Sequence, residues 1–269
     1  KAHIKKIDYV LITHYHRDHV GGAPNLADRI PVGTWLDHGP NREDIKVVRE
    51  DFADYERISK AQHQVVKPGD RIPLKGVDVT IVSADGAVLA EPLTGSGQEN
   101  SACASTAKRD VDNTENARSA GFVLAYGAFK FADLGDLTWN KELDLTCPVN
   151  KLGTVGVFLI SHHGMNLSNS PALVDALHPR VAIMDNGARK GGSPEAWQTV
   201  RNSPGLEDIW QLHFAIEGGA DHNAPDPFIA NVDEVCQGKA LVLNASEDGS
   251  FSVTNTRNNY SKSYPAAGR

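Results

Sequence analysis

The stretch Thr13-His14-Tyr15-His16-Arg17-Asp18-His19-Val20-Gly21-Gly22 decides how this chain is read. Three imidazoles and a carboxylate fall within positions 14–19. The run before it, residues 7–12 (Ile-Asp-Tyr-Val-Leu-Ile), is apolar enough for a buried strand, and Gly21-Gly22 leads into a helical pattern through Leu26. On an extended backbone residues two apart face the same side, so His14 and His16 aim together. Asp18 and His19 follow where the chain turns and can face a second point close by. Imidazole suits zinc and iron, and a carboxylate joined to imidazoles suits a second, harder ion or a shared one. The pattern therefore predicts two adjacent metal ions at the C-terminal edge of a sheet. A bare His-x-His is common and ordinarily structural. The longer His-x-His-x-Asp-His at a strand end is much rarer by chance, and here the strand before it and the glycines after it agree.

The same logic recurs twice. Residues 129–134 read as a strand paired with residues 122–126, and it ends at Asp133-Leu134-Gly135-Asp136. A glycine before a strand-end aspartate lets the backbone approach an ion, and Asp136 can bridge two of them. Gly-Asp is also ordinary turn chemistry, and Asp133 is the local competitor. Residues 155–160 form another apolar run, delivering Ser161-His162-His163-Gly164. One of these two histidines is read as the last metal ligand and the other as its support or a substrate contact. His163 is favoured because the following glycine leaves room.

His-x-His-x-Asp-His after a buried strand resembles the signature of the metallo-β-lactamase superfamily. Gly135-Asp136-Leu137 and Ser161-His162-His163-Gly164 are similar to the later motifs of one branch, the hydrolase domain of ComEC-type DNA-uptake proteins. The resemblance runs from the start to about Asn186. It implies an αββα sandwich, two β-sheets face to face with helices outside. It also implies strands before the first motif. Only thirteen residues precede His14, so N-terminal strands are expected to be missing from this chain or supplied by another. Many members carry a further histidine between the first motif and the bridging aspartate. The histidines in that interval here, His38 and His63, lack a strand-end setting. The ComEC-like branch also lacks it, and Glu115-Asn116-Ala117-Arg118-Ser119 falls in the corresponding place, which makes Asn116 or Glu115 a contact to ion, water or substrate.

The rest of the chain alternates helix and strand patterns. Residues 43–62 read as an amphipathic helix and residues 77–82 as a strand with one wet face. From 84 to 118 the periodicity disappears, which predicts a long loop that is either a wall over the site or a solvated insertion. After the third motif the alternation continues, with a further loop at residues 218–223 that places His222 as a substrate contact or a surface residue. A closing hairpin turns at Asp248-Gly249. Residues 1–256 are thus one domain, with 257–269 a polar tail. Cys103, Cys147 and Cys236 have no metal-thiolate spacing; an oxidising compartment would allow one disulfide, and the cytosol fits as well.

With 40% apolar and 23% charged residues the composition is that of a globular domain. A net charge of −7 disfavours a general nucleic-acid surface, and no apolar run reaches membrane-span length. The compartment stays open between the bacterial cytoplasm and, if a signal peptide left with the N-terminus, the periplasm or exterior. The chemistry expected is hydrolysis of a small or oligomeric substrate. Water held between two divalent ions loses its proton near neutrality and attacks carbonyl carbon or phosphorus. His14, His16 and one of His162 or His163 are assigned to the first ion and Asp18 and His19 to the second. Asp136 bridges, and Asp18 also orients the water. Zinc is the expected metal, with manganese or iron as alternatives. Phosphoesters and carboxylic esters or lactones rank equally as substrates. The competing expectations are an inactive binding module of the same fold and a diiron oxidoreductase. No Gly-x-Ser-x-Gly supports a serine nucleophile.

Overall fold

A computed structural model describes residues 4–266. Its first sheet holds three parallel strands in the order β1 (Ile7–Leu11), β2 (Val32–Asp37) and β3 (His63–Val65). Parallel neighbours need a crossover. Two short helices, α1 (Arg17–Val20) and α2 (Ala23–Ala27), make the first crossover, and the longer α3 (Lys46–Ser59) makes the second. The apolar residues of α3 recur at helical spacing. Val48, Phe52, Tyr55 and Ile58 pack with Ile12, Tyr15, Val20 and Trp35 on the sheet's outer side.

The second sheet has nine strands. Four are antiparallel or lead into antiparallel pairs: β4 (Arg71–Ile72), β5 (Asp78–Ala84), the short β6 (Ala87–Val88) beside it, and β7 (Gly121–Tyr126). Next come β8 (Phe129–Asp133), β9 (Val157–Leu159), β10 (Val181–Met184), β11 (Asp208–His213) and β12 (Ile229–Asn231), parallel from β8 onward. Helices α4 (Trp139–Thr146), α5 (Pro171–Leu177) and α6 (Pro194–Arg201) lie between successive parallel strands. Alternation along the strands divides the core. Val123, Ala132, Phe158, Ala182 and Ile209 face a cluster shared with Leu145, Leu173, Leu177 and Val200 of the helices. The opposite face presents Ile81 and Phe122 to Tyr9, Leu11 and Leu36 of the first sheet. The layers therefore run helices, sheet, sheet, helices, a mixed α/β arrangement of the expected kind.

One feature differs from the expectations. The polar tail is instead part of a third sheet, in which β13 (Leu241–Ala245), β14 (Phe251–Asn255) and β15 (Ser261–Tyr264) pair antiparallel. Tyr264 is fully buried. Its hydroxyl lies 2.7 Å from Asp208 Oδ2 and accepts from Trp210 Nε1 at 2.9 Å, and Phe251 and Val253 join it in covering β8 to β11. The short polar residues between Arg257 and Lys262 hide that anchor from a reading of composition. The 84–118 segment, although aperiodic, is tied down. Asn100 Nδ2 donates to the carbonyls of Thr146 and Ala172, Glu99 bridges to Val149, and Cys103 is disulfide-bonded to Cys147 at the end of α4. Among the described residues no helix is long and apolar enough to cross a membrane.

Candidate metal centre

The C-terminal ends of β1, β8, β9 and β10 meet where the two main sheets abut, and each end carries polar side chains inward. This is where parallel strands ordinarily deliver functional groups. Past β1, His16 is extended and precedes α1, so Asp18 and His19 lie on the first turn of that helix. Past β8, Gly135 has φ +57°, and a Cβ there would lie 2.9 Å from Thr13 Cβ. Only glycine lets these two chain segments touch. The contact matters because Thr13 Oγ1 lies 3.1 Å from His14 Nδ1 and 3.2 Å from His19 Nδ1, holding both rings by their far nitrogens.

Past β9, His162 (φ 54°, ψ 42°) and His163 (φ 53°, ψ 20°) both adopt the left-handed conformation. Two successive non-glycine residues in that region cost about 1–3 kcal/mol each. The turn is held from outside. His162 N–H donates to Gly135 O at 3.0 Å, and Gly192 N–H donates to His163 O at 2.9 Å. Gly191 passes so close that a Cβ on it would meet His163 O at 2.0 Å. The reward for this strain is that neighbouring imidazoles both reach Asp136.

Asp136 is the hub. Its Oδ2 lies 3.3 Å from His19 Nε2, 3.5 Å from His162 Nε2 and 3.7 Å from His14 Nε2, and its Oδ1 lies 3.6 Å from His163 Nε2. Asp18 Oδ2 stands 3.3 Å from His19 Nε2 and 3.1 Å from His163 Nε2, and those two nitrogens are 3.2 Å apart. Ligand atoms of Asp18, His19, Asp136 and His163 all lie within 4.8 Å of one another. Of the two candidate last ligands, His163 groups with Asp18 and His19, because its ring leaves the turn on their side of Asp136. His162, the alternative, approaches the Oδ2 side that His14 also faces. Its Nδ1 is fixed 3.3 Å from Ser168 Oγ.

The electrostatics favour positive charge at the centre, which protons on His19 and His163 supply where a metal ion would displace them. Burial holds His14 and His162 below the ordinary imidazole range, leaving them neutral. Burial opposes charge on His19 too, but Asp136 and Asp18 outweigh it and raise its pKa to about 9. His163 is likewise raised by Asp18 and Asp185 against its burial. Burial disfavours charge on Asp18 and Asp136 as well, yet their imidazole neighbours, with Lys190 on Asp18, keep both ionised far into acid. His14 Nε2 and Asp136 Oδ2 are buried and have no hydrogen-bond partner. A buried polar atom left unpaired is costly, and a cation between them would satisfy both. Imidazole nitrogen with carboxylate oxygen is the donor set of zinc, and also of iron and manganese.

The other predicted residues lie elsewhere. His16 turns its Nε2 to Glu43 Oε2 at 2.9 Å, leaving its Nδ1 as the atom able to ligate. Asn116 is buried, with Oδ1 unpaired, while Glu115 is spent on Tyr15 N–H, Arg42 N–H and His38. His222 packs edge-on against Trp197 rather than joining the imidazoles. Asp133 accepts from Gly135 N–H and is raised to about 6 by burial, so it supports the turn instead of competing with Asp136. Four residues were missed. Glu43, Ser168 and Lys190 lie in loops without a pattern, whereas Asp185 directly follows β10 and contacts His163 Nδ1 at 3.3 Å. The strand-end rule that found Asp136 could have found Asp185.

A family model described as Metallo-beta-lactamase superfamily matches residues 1–97. A hydroxyacylglutathione hydrolase of Erwinia tasmaniensis is 35% identical over 80 residues, 30% of this chain and 26% of that relative, so the match spans about a quarter of its length. Among solved structures, a mutant of CmlA β-hydroxylase is similar with a TM-score of 0.49 and 16% identity, covering 78% of this chain and 44% of that one. A metallo hydrolase from the archaeon Ignicoccus hospitalis gives a TM-score of 0.42 and 15% identity, covering 76% of each chain. The family match supports the metallo-β-lactamase superfamily, and the layered α/β architecture is consistent with that fold.

Proposed function

We propose that the chain is a metal-dependent hydrolase of phosphoester or carboxylic ester bonds, with two divalent ions, zinc foremost, at the Asp136 cluster. The observation that carries this reading is the convergence of Asp18, His19, Asp136 and His163 within 4.8 Å, beside the unpaired His14 Nε2 and Asp136 Oδ2. Asp18, His19, His163 and Asp136 would hold one ion, and His14, His16 and His162, with Asp136 shared, would hold the other. Bound cations lower the pKa of a coordinated water toward neutrality and offset the negative charge that develops on the reacting oxygen.

The chain's own groups supply orientation. Asp18 has one oxygen on His19 and His163, and its carboxylate can accept a proton from water on the solvent side, where it is 39% exposed. Lys190 pairs with the same carboxylate and stands ready to meet an anionic oxygen of substrate. Thr13, Ser168 and Asp185 fix the far nitrogens of His14, His19, His162 and His163, which keeps the near nitrogens aimed inward. The resemblance to ComEC-type domains favours a phosphodiester among these substrates, and the hydrolase relative favours a thioester or ester.

The test is hydrolysis of bis(p-nitrophenyl) phosphate and p-nitrophenyl acetate by the purified chain, before and after chelation and again after metal return. Activity on either that chelation removes and zinc restores is expected. A metal-free protein inert on both after zinc addition would overturn the proposal in favour of a binding module.

A further inference from the structure

Beside the centre lies a cavity of about 540 Å³ whose walls are the aperiodic loop and the start of α4. Its lining includes Thr138, two residues beyond Asp136, and Leu167, next to the Ser168 that fixes His162. The loop reaches it by a specific clamp. Trp139 Nε1 donates to Ala107 O at 2.9 Å, Asn140 Nδ2 donates to Arg109 O at 2.7 Å, and Arg109 N–H donates back to Asn140 Oδ1 at 2.9 Å. The Arg109 guanidinium lies 3.5 Å over the Trp139 ring and donates to Asn166 O. It is thus fixed in place by its own stacking, with donors left over.

Lys108 also lines the cavity. Neither Lys108 nor Arg109 pairs with a carboxylate among the described residues, in a chain whose acidic side chains outnumber its basic ones by 34 to 27. Asp110 and Asp112 line the same cavity; Asp112 is engaged by Thr114 N–H. The acids leave the cavity near neutral overall, so its affinity for an anion comes from two cations without carboxylate partners, the stacked Arg109 and its neighbour Lys108. Two such donors beside a hydrolytic centre match an anionic oxygen cluster, and guanidinium with ammonium is a common pair for it.

We infer that this cavity is a substrate subsite for an anionic group, a phosphate or carboxylate carried by the substrate away from the scissile bond, bound by Lys108 and Arg109 over Trp139. The role as substrate subsite rests on the hydrolase reading; anion binding itself does not. The loop that carries both cations is the one the Cys103–Cys147 disulfide ties to the far end of α4, so the subsite is built by that insertion.

Calorimetric titration of the full chain with inorganic phosphate, repeated after chelation, tests it, with Lys108→Ala and Arg109→Gln alongside. Phosphate should bind the chelated chain, and each variant should weaken it about tenfold, the scale of one lost charge-assisted contact, with metal content unchanged. In turnover, KM for mono(p-nitrophenyl) succinate, whose free carboxylate lies away from the scissile ester, should rise in both variants while KM for p-nitrophenyl acetate is unaffected. Equal phosphate affinity in wild type and Lys108→Ala, or no phosphate binding to the chelated chain, would overturn the inference. Lys108-dependent phosphate binding by a chain that hydrolyses nothing would instead keep the anion site and remove the hydrolase reading.

Discussion

Stripped of metal by chelation, the protein should lose stability as the solution turns alkaline, because the cluster then depends on protons. In that state Asp18 and Asp136 face imidazoles at 3.1–3.7 Å. Burial disfavours a charged His19, yet the two carboxylates raise its pKa to about 9, against roughly 6.5 in the unfolded chain. A group raised in this way stabilises the fold fully below the unfolded pKa and ceases to do so as pH rises through the folded one. For His19 the window is therefore pH 6.5 to 9, and His163, raised to about 10, carries the same loss further. A span of about 2.5 pH units at roughly 1.4 kcal/mol each comes to about 3.5 kcal/mol. For a chain of this size that is a fall of about 10 °C in Tm. Thermal unfolding of the chelated protein across that window measures it. Asp18→Asn in parallel removes the background of other titrating groups, and with one of two carboxylates gone its fall should be about half as steep. The zinc-loaded protein should show the opposite trend, since protons compete with the ion for the same nitrogens. Identical pH profiles for chelated wild type and Asp18→Asn would refute the reasoning.

Three further outcomes follow from particular contacts. Glu142 is fully buried and accepts the Asn169 and Ser170 N–H groups, each at 2.7 Å; Glu142→Ala orphans both and should cost about 2–5 kcal/mol in urea unfolding, with Glu142→Gln recovering part of it. Tyr264→Phe removes the hydroxyl shared by Asp208 and Trp210, so unfolding should become easier by about 1–2 kcal/mol, and an unchanged midpoint would mean the third sheet is not docked as described. His163→Gly relieves a left-handed histidine but removes the ring that faces Asp18 at 3.1 Å and Asp185 at 3.3 Å, so the chelated variant should be less stable than wild type near pH 6 and should hold metal less well; a chelated variant more stable at that pH would show that the strain outweighs the ion pairs.

What could be read in advance followed the periodicity of the backbone. Residues 7–12, 129–134 and 155–160 announced themselves as apolar runs, and the groups at their ends, from His14 to His163, converge on Asp136 because the C-terminal strand ends of the two main sheets meet there. Which imidazole faces which oxygen was beyond reach. That depends on the paired left-handed φ values at His162 and His163, set by Gly191 and Gly192 some thirty residues on. The long loop gave no periodic signal because it is ordered by side-chain clamps, Asn100, Trp139 and Asn140, instead of by a repeating face. The final strand was missed for a related reason: one buried tyrosine anchors an otherwise polar segment.

The most direct check on the central claim is elemental analysis of the purified protein beside Asp136→Ala, after dialysis against zinc and removal of free ion. Two zinc ions per wild-type chain and a loss of both in the variant, with its fold intact by circular dichroism, is the result this account predicts. Wild-type protein that emerges without bound metal, or a variant that retains as much as the wild type, would contradict it.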